Sequence, residues 1–330
     1  MTGPLVSVLM PAYNADRYIR KAIGSIVNQT YENWELLICD DCSVDNTFSL
    51  INEFAAKEPR IIVLSNDTNH GELRTRNTLL DIASGELITF QDADDFSHPE
   101  RLRLMVGQFE KNPALGILAS QVAYIDEQDT VLRISHKPLT YSEVRKAMGD
   151  RNVVGGAIMM VRRPALESVG GKFRTYFDGL PYLDYDLSLL IAEKFEGYSL
   201  PQVLYYYRQH DQASSKSVSI DRLVTKDVVT HLAKQRRERG QDDLMIGRPE
   251  LVDAFFEKLR QPYRSDPALV YRDYAGIYMY NSLYRNAIRV SWQAIRSNPL
   301  NLINWRVFQY CLRISIVKLL FGANRDNHIQ

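Results

Sequence analysis

Short apolar runs alternate with amphipathic segments along the first hundred residues of the chain. The apolar runs predict strands over residues 6–10, 34–39, 61–64 and 87–90. Between them, apolar residues recur every three or four positions, which predicts helices over 18–29, from about 46, over 73–83 and over 99–109. Asp45 is the predicted N-cap of the second helix, and Pro99 the predicted first residue of the fourth. This alternation predicts βαβ units and a parallel sheet.

The pattern changes after residue 115. Apolar runs separated by polar turns predict further strands over 117–124, 131–134, 157–161 and 203–208, with a helix over 187–192. They indicate a mixed second half of the same sheet. Beyond residue 217 only helical patterns follow, over 221–239, 249–259, 268–280, 284–296 and 301–320. We therefore predict an α/β domain over residues 1–217 and an α-helical extension over residues 218–330.

Composition excludes several classes of protein. The chain has 330 residues, and its 40 basic side chains balance its 40 acidic ones. The chain therefore lacks the excess of positive charge that is typical of nucleic-acid-binding proteins. No signal-peptide pattern is present, and no apolar run approaches the length of about 18 residues that a membrane span needs. The three cysteines suggest a reducing compartment. We expect a cytoplasmic protein, either free or peripheral at the inner face of the membrane.

Acidic residues follow two of the predicted strands. Asp40 and Asp41 end the second strand, and Asp92, Asp94 and Asp95 follow the fourth. Ligands of open parallel sheets bind outside the carboxyl ends of the strands, so these two clusters are expected to share one crevice. Carboxylate oxygens suit Mg²⁺ or Mn²⁺ bound together with a diphosphate. Asp is also a common turn residue, but two clusters at equivalent positions favour the functional interpretation.

Several short motifs occur together in one order along the chain. They are Val6 to Asn14, Asp40 to Thr47, Asn69-His70-Gly71, Arg76-Asn77, Ala83 to Glu86, Asp92 to Asp95, Glu167 to Gly171, Asp184 to Leu187 and Tyr207 to His210. Each is weak alone, but together they resemble the family 2 glycosyltransferases. The resemblance covers about residues 5–215 and does not extend into the helical region.

The resemblance implies a GT-A fold, a nucleoside-diphosphate-sugar donor, often a uridine one, and inversion at the anomeric carbon. The donor-binding residues that it implies are Pro11, Ala12, Tyr13, Asn14, Asp41, Arg76, Asp92 and Arg208. Asp92 and Asp94 match the family's Asp-X-Asp motif. The implied ligands of Mn²⁺ or Mg²⁺ are Asp94, Asp95 and His210, and the choice between Asp94 and Asp95 stays open. Asp184 takes the place of the general base.

One residue departs from the family pattern. Leu183 stands before Asp184 where the family usually has Glu.

The expected function is metal-dependent transfer of one sugar to a saccharide or lipid-linked saccharide acceptor, in the synthesis of a surface polysaccharide or glycan. Two alternatives remain: a non-catalytic nucleotide-sugar-binding or scaffold protein on the same fold, and a nucleotidyltransferase. The loop at residues 11–14 lacks the Gly-rich, Arg-containing sequence that the latter usually has.

Two other patterns carry weaker hypotheses. Cys39 and Cys42 have Cys-x-x-Cys spacing, but two carboxylates lie between them and would disfavour a thiolate, so we interpret Cys39 as strand core. The last helix carries apolar stripes that include Trp305, Leu312 and Ile316, and all its charges are basic. Such a helix either lies in a membrane interface or packs against other helices or a second subunit. We expect packing, because it is the commoner fate of such stripes.

Overall fold

A computed structural model of the protein describes residues 3–149, 151–210, 218–281 and 283–321, without the side chains of 318–321. The chain forms two compact units. The first contains residues 1–213 and 229–242, and the second contains residues 214–228 and 243–330. The predicted boundary at residue 217 lies outside the described residues, so the division into domains there stays a prediction.

A single mixed sheet forms the centre of the first unit. Its strands are β1 (Val6–Ala12), β2 (Trp34–Asp40), β3 (Ile61–Ser65), β4 (Leu87–Phe90), β5 (Phe96–Ser97), β6 (Leu115–Ile125), β7 (Val131–Ile134), β8 (Met160–Arg162) and β9 (Glu196–Arg208). Their order is β3-β2-β1-β4-β8-β6-β9-β5, with β7 paired to β6. Strands β1 to β4 are mutually parallel, β8 runs antiparallel to β4 and β6, and β9 is parallel to β6.

Helices cover the sheet. They are α1 (Ile19–Val27), α2 (Thr47–Ala55), α3 (Glu72–Ile82), α4 (Arg101–Lys111), α5 (Tyr141–Ala147), α6 (Arg163–Glu167) and α7 (Leu183–Ala192), with a 3₁₀ turn at Thr175–Phe177. Alternate residues of a strand point to opposite faces of its sheet. Val6, Val8 and Met10 of β1 are fully buried in the cluster that contains the apolar residues of α1 and α4. The mixed sheet with flanking helices confirms the predicted fold class.

One of the recognised motifs serves the packing of β1. The Ser7 hydroxyl donates to the Glu35 carboxylate at 2.5 Å, and the same carboxylate accepts from the backbone amide of Ser84 at 2.8 Å. A Cβ on Gly85 would lie 2.5 Å from the backbone nitrogen of Ser7. Such an approach excludes any side chain, so the motif at residues 83–86 contains Gly because the loop before β4 touches the backbone of β1.

Several predicted boundaries differ from the structure. Helix α4 begins at Arg101, and Glu100 is its N-cap, so Pro99 lies before the helix rather than in its first turn. The N-cap of α2 is Asn46 and not Asp45. The Asp45 carboxylate nevertheless accepts from the Thr47 amide at 2.9 Å, and it also accepts from Asp16 in the preceding loop. The side chain therefore serves two loops, which a local cap pattern does not reveal.

The second unit is helical. Its elements are the first part of α8 (Ile220–Arg239), then α9 (Pro249–Ser265), α10 (Ala268–Tyr280), α11 (Tyr284–Ser297) and α12 (Leu302–Phe321). Its core consists of Tyr274, Ala275, Tyr278, Ala287, Val290 and Cys311. In the described part of the chain, none of the helices combines the length and the apolar character needed to cross a bilayer. Of the apolar stripe of the last helix, Trp305, Leu312 and Ile316 are exposed within this unit, so the packing of these three side chains stays a prediction.

Candidate active site

The carboxyl ends of β1, β2 and β4 meet where the strand order reverses. The chain runs outward from β1 through β2 to β3 and then returns to the other side of β1 as β4. The loops after β1 and β2 are tied together here, since the Asp41 amide donates to the Ala12 carbonyl at 2.8 Å. Asn14, with a φ of 47°, accepts from the Val44 amide at 2.9 Å. Pro11 is half-buried and Tyr13 is exposed beside these loops.

Asp41 is buried and held by three donors. One of its oxygens accepts from the Asn66 side chain at 2.7 Å and from the His70 amide at 2.8 Å. The other accepts from the Gly71 amide at 2.8 Å. Burial raises the pKa of Asp41, but these hydrogen bonds outweigh it and hold the pKa below its ordinary value. The motif at residues 69–71 thus orients a carboxylate that is ionised at neutral pH beside the predicted nucleoside pocket.

Arg76 of α3 lies against the Asp-X-Asp segment. Its Nη2 contacts Asp92 and Glu72 at 2.8 Å each, although the side chain is only 3% exposed. Its Nε and Nη1 have no hydrogen-bond partner within the described residues. Burial raises the pKa of Asp92, Arg76 opposes this, and the carboxylates of Glu72, Asp94 and Asp184 raise it further, to about 7. Unpaired buried donors beside crowded carboxylates indicate a polar ligand site.

The structure brings together two of the three predicted metal ligands. Asp94 is about one-third exposed, and its Oδ2 lies 2.8 Å from Nε2 of His210. Asp95 is buried, its Oδ1 accepts from the Arg208 amide at 2.7 Å, and its Oδ2 has no hydrogen-bond partner within the described residues. Burial and the neighbouring Asp94 raise the pKa of Asp95 well above its usual range. Over the described residues, no three His, Cys, Asp or Glu side chains converge as a complete metal cage.

Arg208 lies beneath this segment and is engaged with the protein. Its Nε donates to the Asp94 carbonyl at 2.9 Å, and its Nη1 donates to the Asp126 carbonyl at 3.0 Å. Its Nη2 pairs with Asp129 at 2.7 Å, and its guanidinium lies over the ring of Tyr18. The side chain is 2% exposed. In this arrangement Arg208 holds the loop that carries Asp94, and its direct contact with a donor stays a prediction.

Asp184 lies in the first turn of α7 and is half-buried. The N-cap of that helix is Tyr182, with a φ of 64°, so Asp184 is not used as a cap. Its Oδ2 accepts from Nδ2 of Asn152 at 2.6 Å. A Cβ on Gly156 would lie 3.4 Å from the same oxygen. Burial raises the pKa of Asp184, while Arg76 opposes the rise. The carboxylate is thus held by Asn152 beside the backbone of Gly156.

Asp186 has a different function from Asp184, two residues away. It is buried and forms a bidentate ion pair with Arg174. Arg174 also binds Asp242, its Nη1 lying 2.8 and 3.0 Å from the two carboxylate oxygens. Arg236 then joins Asp242 to Glu193, with its Nε 2.6 Å from that carboxylate. This cluster, which sequence reasoning missed, fixes both ends of α7, because Asp186 lies in its first turn and Glu193 is its C-cap.

Two further residues beside the acidic segment were not predicted from the sequence. Arg101 is fully buried, and its Nη2 donates to the Thr89 hydroxyl at 2.8 Å and to the Ala157 carbonyl at 2.6 Å. Burial lowers its pKa to about 10, so it remains a cation behind the acidic segment. The hydroxyl of Tyr205 accepts from the Asp92 amide at 3.1 Å. The Tyr-rich strand at 203–208 offered a signal for Tyr205, whereas nothing local distinguished Arg101 from a helical surface residue.

The interpretation of Cys39 as strand core is confirmed. The side chain is fully buried in β2. Burial, followed by the carboxylates of Asp41 and Asp40, raises the pKa of its thiol to about 11. A reactive thiolate is therefore disfavoured at neutral pH.

Comparisons with known proteins agree with this geometry. The sequence profile of the family described as "Glycosyl transferase family 2" matches residues 7–170. The chain is 31% identical over 256 residues to the Bacillus subtilis protein named "Putative glycosyltransferase EpsE", covering 77% of this chain and 90% of that protein. The chain belongs to glycosyltransferase family 2. This family 2 glycosyltransferase is also 37% identical over 150 residues to the Escherichia coli enzyme WfgD, covering 45% of this chain and 58% of WfgD.

Solved structures share the fold of this family 2 glycosyltransferase. S. aureus TarS 1-349, in complex with UDP-GlcNAc, superposes with a TM-score of 0.59 at 17% identity, over 94% of this chain and 88% of that one. The mannosyltransferase PcManGT from Pyrobaculum calidifontis, in complex with GDP-Man and Mn²⁺, gives a TM-score of 0.55 at 18% identity, over 98% and 88% of the two chains. At such identities the likeness establishes the GT-A fold alone.

The two acidic residues of α7 are predicted to differ in their effect on stability. Asp186→Asn removes the buried negative charge that pairs with the half-buried Arg174 and should lower the free energy of unfolding by about 3 kcal/mol, the usual cost of breaking a buried pair. Asp184→Asn keeps the size of a half-buried side chain and should stay within about 1 kcal/mol of the wild type. Urea unfolding followed by circular dichroism measures both values. Equal losses of stability would contradict the separate roles.

Proposed function

We propose that this glycosyltransferase moves a single sugar, with inversion and in a metal-dependent reaction, from a nucleoside-diphosphate donor to a saccharide or lipid-linked saccharide acceptor. The observation that carries the proposal is the crowding of Asp92 and Asp184 around the buried Arg76 at the switch point of the sheet. We favour a UDP donor, because WfgD is named as a UDP-Glc-dependent glucosyltransferase and TarS binds UDP-GlcNAc. The name of WfgD also motivates the lipid-linked acceptor, a diphosphoundecaprenol glycolipid, and a role in surface polysaccharide synthesis.

Donor binding is assigned to the loops after β1 and β2 and to the start of α3. Tyr13 is half exposed beside Pro11 and Ala12 and can cover the face of a base. The Asp41 oxygen that accepts from the Gly71 amide can accept a further hydrogen bond from a nucleobase N–H, because a carboxylate oxygen has two lone pairs. The unpartnered Nε and Nη1 of Arg76 can donate to the diphosphate or to the sugar, which removes the cost of leaving them buried and unpaired.

The residues present fit a divalent cation. Asp94 offers a partly exposed carboxylate and His210 an imidazole nitrogen beside it. Mg²⁺ sites at phosphates commonly use one or two carboxylates and complete their shell with phosphate oxygens and water. The imidazole nitrogen favours Mn²⁺ over Mg²⁺, because Mg²⁺ prefers oxygen ligands. When bound, the cation would neutralise charge on the leaving diphosphate. Asp95 faces the Arg208 amide, and we infer that Asp94 rather than Asp95 is the ligand.

Asp184 is assigned as the general base. In the reaction an acceptor hydroxyl oxygen bonds to the anomeric carbon while the bond from that carbon to the diphosphate breaks. The proton of the hydroxyl passes to a carboxylate oxygen of Asp184, and the bonding electrons leave with the nucleoside diphosphate. The hydrogen bond from Asn152 fixes the carboxylate, and the raised pKa makes it a stronger base than an ordinary Asp. Leu183 leaves this assignment unchanged, because Asn152 rather than residue 183 contacts the carboxylate.

Release of nucleoside diphosphate tests the enzymatic function. The full chain is incubated with Mn²⁺ and a panel of UDP- and GDP-sugars, and the diphosphate released by slow hydrolysis is measured for each donor. Release that is selective for one donor and absent from Arg76→Met supports a transferase. Stable binding of a donor with no release, and no transfer to any supplied saccharide or glycolipid, would favour a nucleotide-sugar-binding protein instead.

The base assignment predicts a rate effect with little loss of donor affinity. Asp184→Asn keeps the shape of the side chain but cannot accept the proton. The transfer rate should fall about 10²–10⁴-fold, the usual contribution of a positioned general base. Donor affinity, measured by calorimetry, should stay within about threefold, since a tenfold change corresponds to 1.4 kcal/mol. A transfer rate close to that of the wild type would assign the base elsewhere.

The surroundings of Asp184 predict the pH dependence of kcat. The base works ionised, so activity is lost as the pH falls through its pKa, which burial raises above the ordinary value of about 3.9. Lys137 lowers this pKa, and it remains largely protonated at neutral pH although burial lowers its own pKa to about 8. Lys137→Met should therefore move the acidic limb of the kcat profile to higher pH. The exposed Lys146→Met is the matched control and should leave the limb in place.

Metal dependence predicts a specific pattern of loss and recovery. EDTA should abolish transfer, and Mn²⁺ should restore it. Asp94→Asn should weaken UDP binding measured with Mn²⁺, whereas Asp67→Asn, an exposed carboxylate outside the cluster, should not. Mn²⁺ and UDP together should raise the melting temperature more than either alone, because a ligand that binds only the folded state stabilises it. Undiminished transfer in chelator would contradict the metal assignment.

A further inference from the structure

Helix α12 exposes large apolar side chains and buries small or polar ones. Its fully buried positions are Asn304, Cys311 and Ser315. Its exposed positions include Trp305, Leu312 and Ile316, the last of them 46% exposed. A helix that packs on a protein core normally shows the opposite arrangement. The exposed apolar face therefore needs an explanation other than the core of this unit.

The apolar exposure continues from α11 into the loop before α12. Trp292 of α11 is 46% exposed and contacts Trp305, with ring centroids 6.4 Å apart. Leu300 and Leu302 are 91% and 70% exposed. We call the exposed residues of 292–317 the α11–α12 surface. Exposed Trp and Leu side chains beside charged residues are typical of interfacial helices.

Charge on this part of the chain has one sign. No Asp or Glu occurs between Tyr274 and Arg325, whereas seven basic residues do. They are Arg285, Arg289, Arg296, Arg306, Arg313, Lys318 and Arg325. The first five are exposed. The chain as a whole is neutral, so this segment is a local concentration of positive charge. Each basic residue near an anionic lipid surface contributes about 1 kcal/mol of attraction.

A groove adds to the apolar character of the same surface. It has a volume of about 310 Å³ and lies within the second unit, where its lining includes Met279, Val307, Tyr310 and Arg306. Such a groove suits a phospholipid, because its apolar side chains can contact the upper part of an acyl chain while the arginine binds the phosphate of the headgroup.

We propose that the α11–α12 surface docks on an anionic lipid bilayer, with the apolar side chains inserted between headgroups and the arginines bound to lipid phosphates. Charge favours this occupant over a second copy of the chain. A twofold dimer places the same patch on both subunits, so the basic residues of each copy would face those of the other. Like charges brought together in this way disfavour association. The docking concerns a surface without any residue of the donor site, so it holds or fails independently of the proposed transfer reaction.

Vesicle co-sedimentation of the full chain tests the proposal. The vesicles are phosphatidylcholine alone and phosphatidylcholine mixed with phosphatidylglycerol, without donor or acceptor. We expect binding to the anionic vesicles, weakened by high salt, and at least about tenfold weaker binding to the neutral ones. Arg306→Gln combined with Arg313→Gln should weaken binding about 25-fold, at roughly fivefold for each arginine. Lys57→Gln combined with Lys111→Gln removes the same charge from exposed positions of the first unit and should have no effect.

An apolar substitution completes the experiment. Ile316→Glu should abolish sedimentation with vesicles, whereas Ile62→Glu, a site on β3 with a similar exposure of 44%, should not. Circular dichroism and nucleoside diphosphate release should be unchanged in both variants, which separates docking from folding and from the transfer function. Equal binding to neutral and anionic vesicles, or no binding, would overturn the proposal. So would a dimer in sedimentation velocity that Ile316→Glu converts to a monomer, because the surface would then join two subunits.

Discussion

Negative charge crowded at the carboxyl end of β4 is the constraint on which the first unit depends. Asp92, Asp94 and Asp95 follow one another there, and Asp184 approaches from α7. Like charges so close raise one another's pKa, and burial adds to the effect. Arg76 offsets part of this negative charge by pairing with Asp92. Arg101 offsets a further part as a buried cation, although it has no carboxylate partner among the described residues. In the proposed reaction, a divalent cation bound at Asp94 would add positive charge to this acidic cluster.

Much of the fold followed from the sequence because each signal was local. The strands β1 to β4 are short apolar runs ended by turn residues, and their positions match the predictions closely. The start of β9 did not follow: its first half, from Glu196, contains Gly197 and Pro201, which weaken a strand pattern. This half is a strand because it pairs with β6, and that pairing is a long-range contact.

The residues of the candidate site also divide into those with a local sequence signal and those whose role depends on long-range contacts. Asp41, Asp92, Asp94 and Asp184 were predicted, since the resemblance and the ends of strands both indicate them. Asn152, Arg174 and Arg101 were not, because their importance depends on partners far away in sequence. Asp184 and Asp186 show the difference within one helix turn. Asp184 accepts from the side-chain amide of Asn152, whereas Asp186 pairs with the guanidinium of Arg174. Only the tertiary structure distinguishes them.

The cluster that fixes α7 also determines how modular this enzyme is. Asp242 and Arg236 lie beyond the last sequence motif of the family, yet they neutralise Arg174 and Glu193 within the first unit. The catalytic unit is therefore discontinuous along the gene. An exchange of segments that joined residues 1–217 to a foreign carboxyl-terminal region would leave Arg174 without half of its counter-charge. Recombination can thus replace the helices after residue 243 more readily than the whole extension, and the segment 229–242 must be inherited together with the sheet.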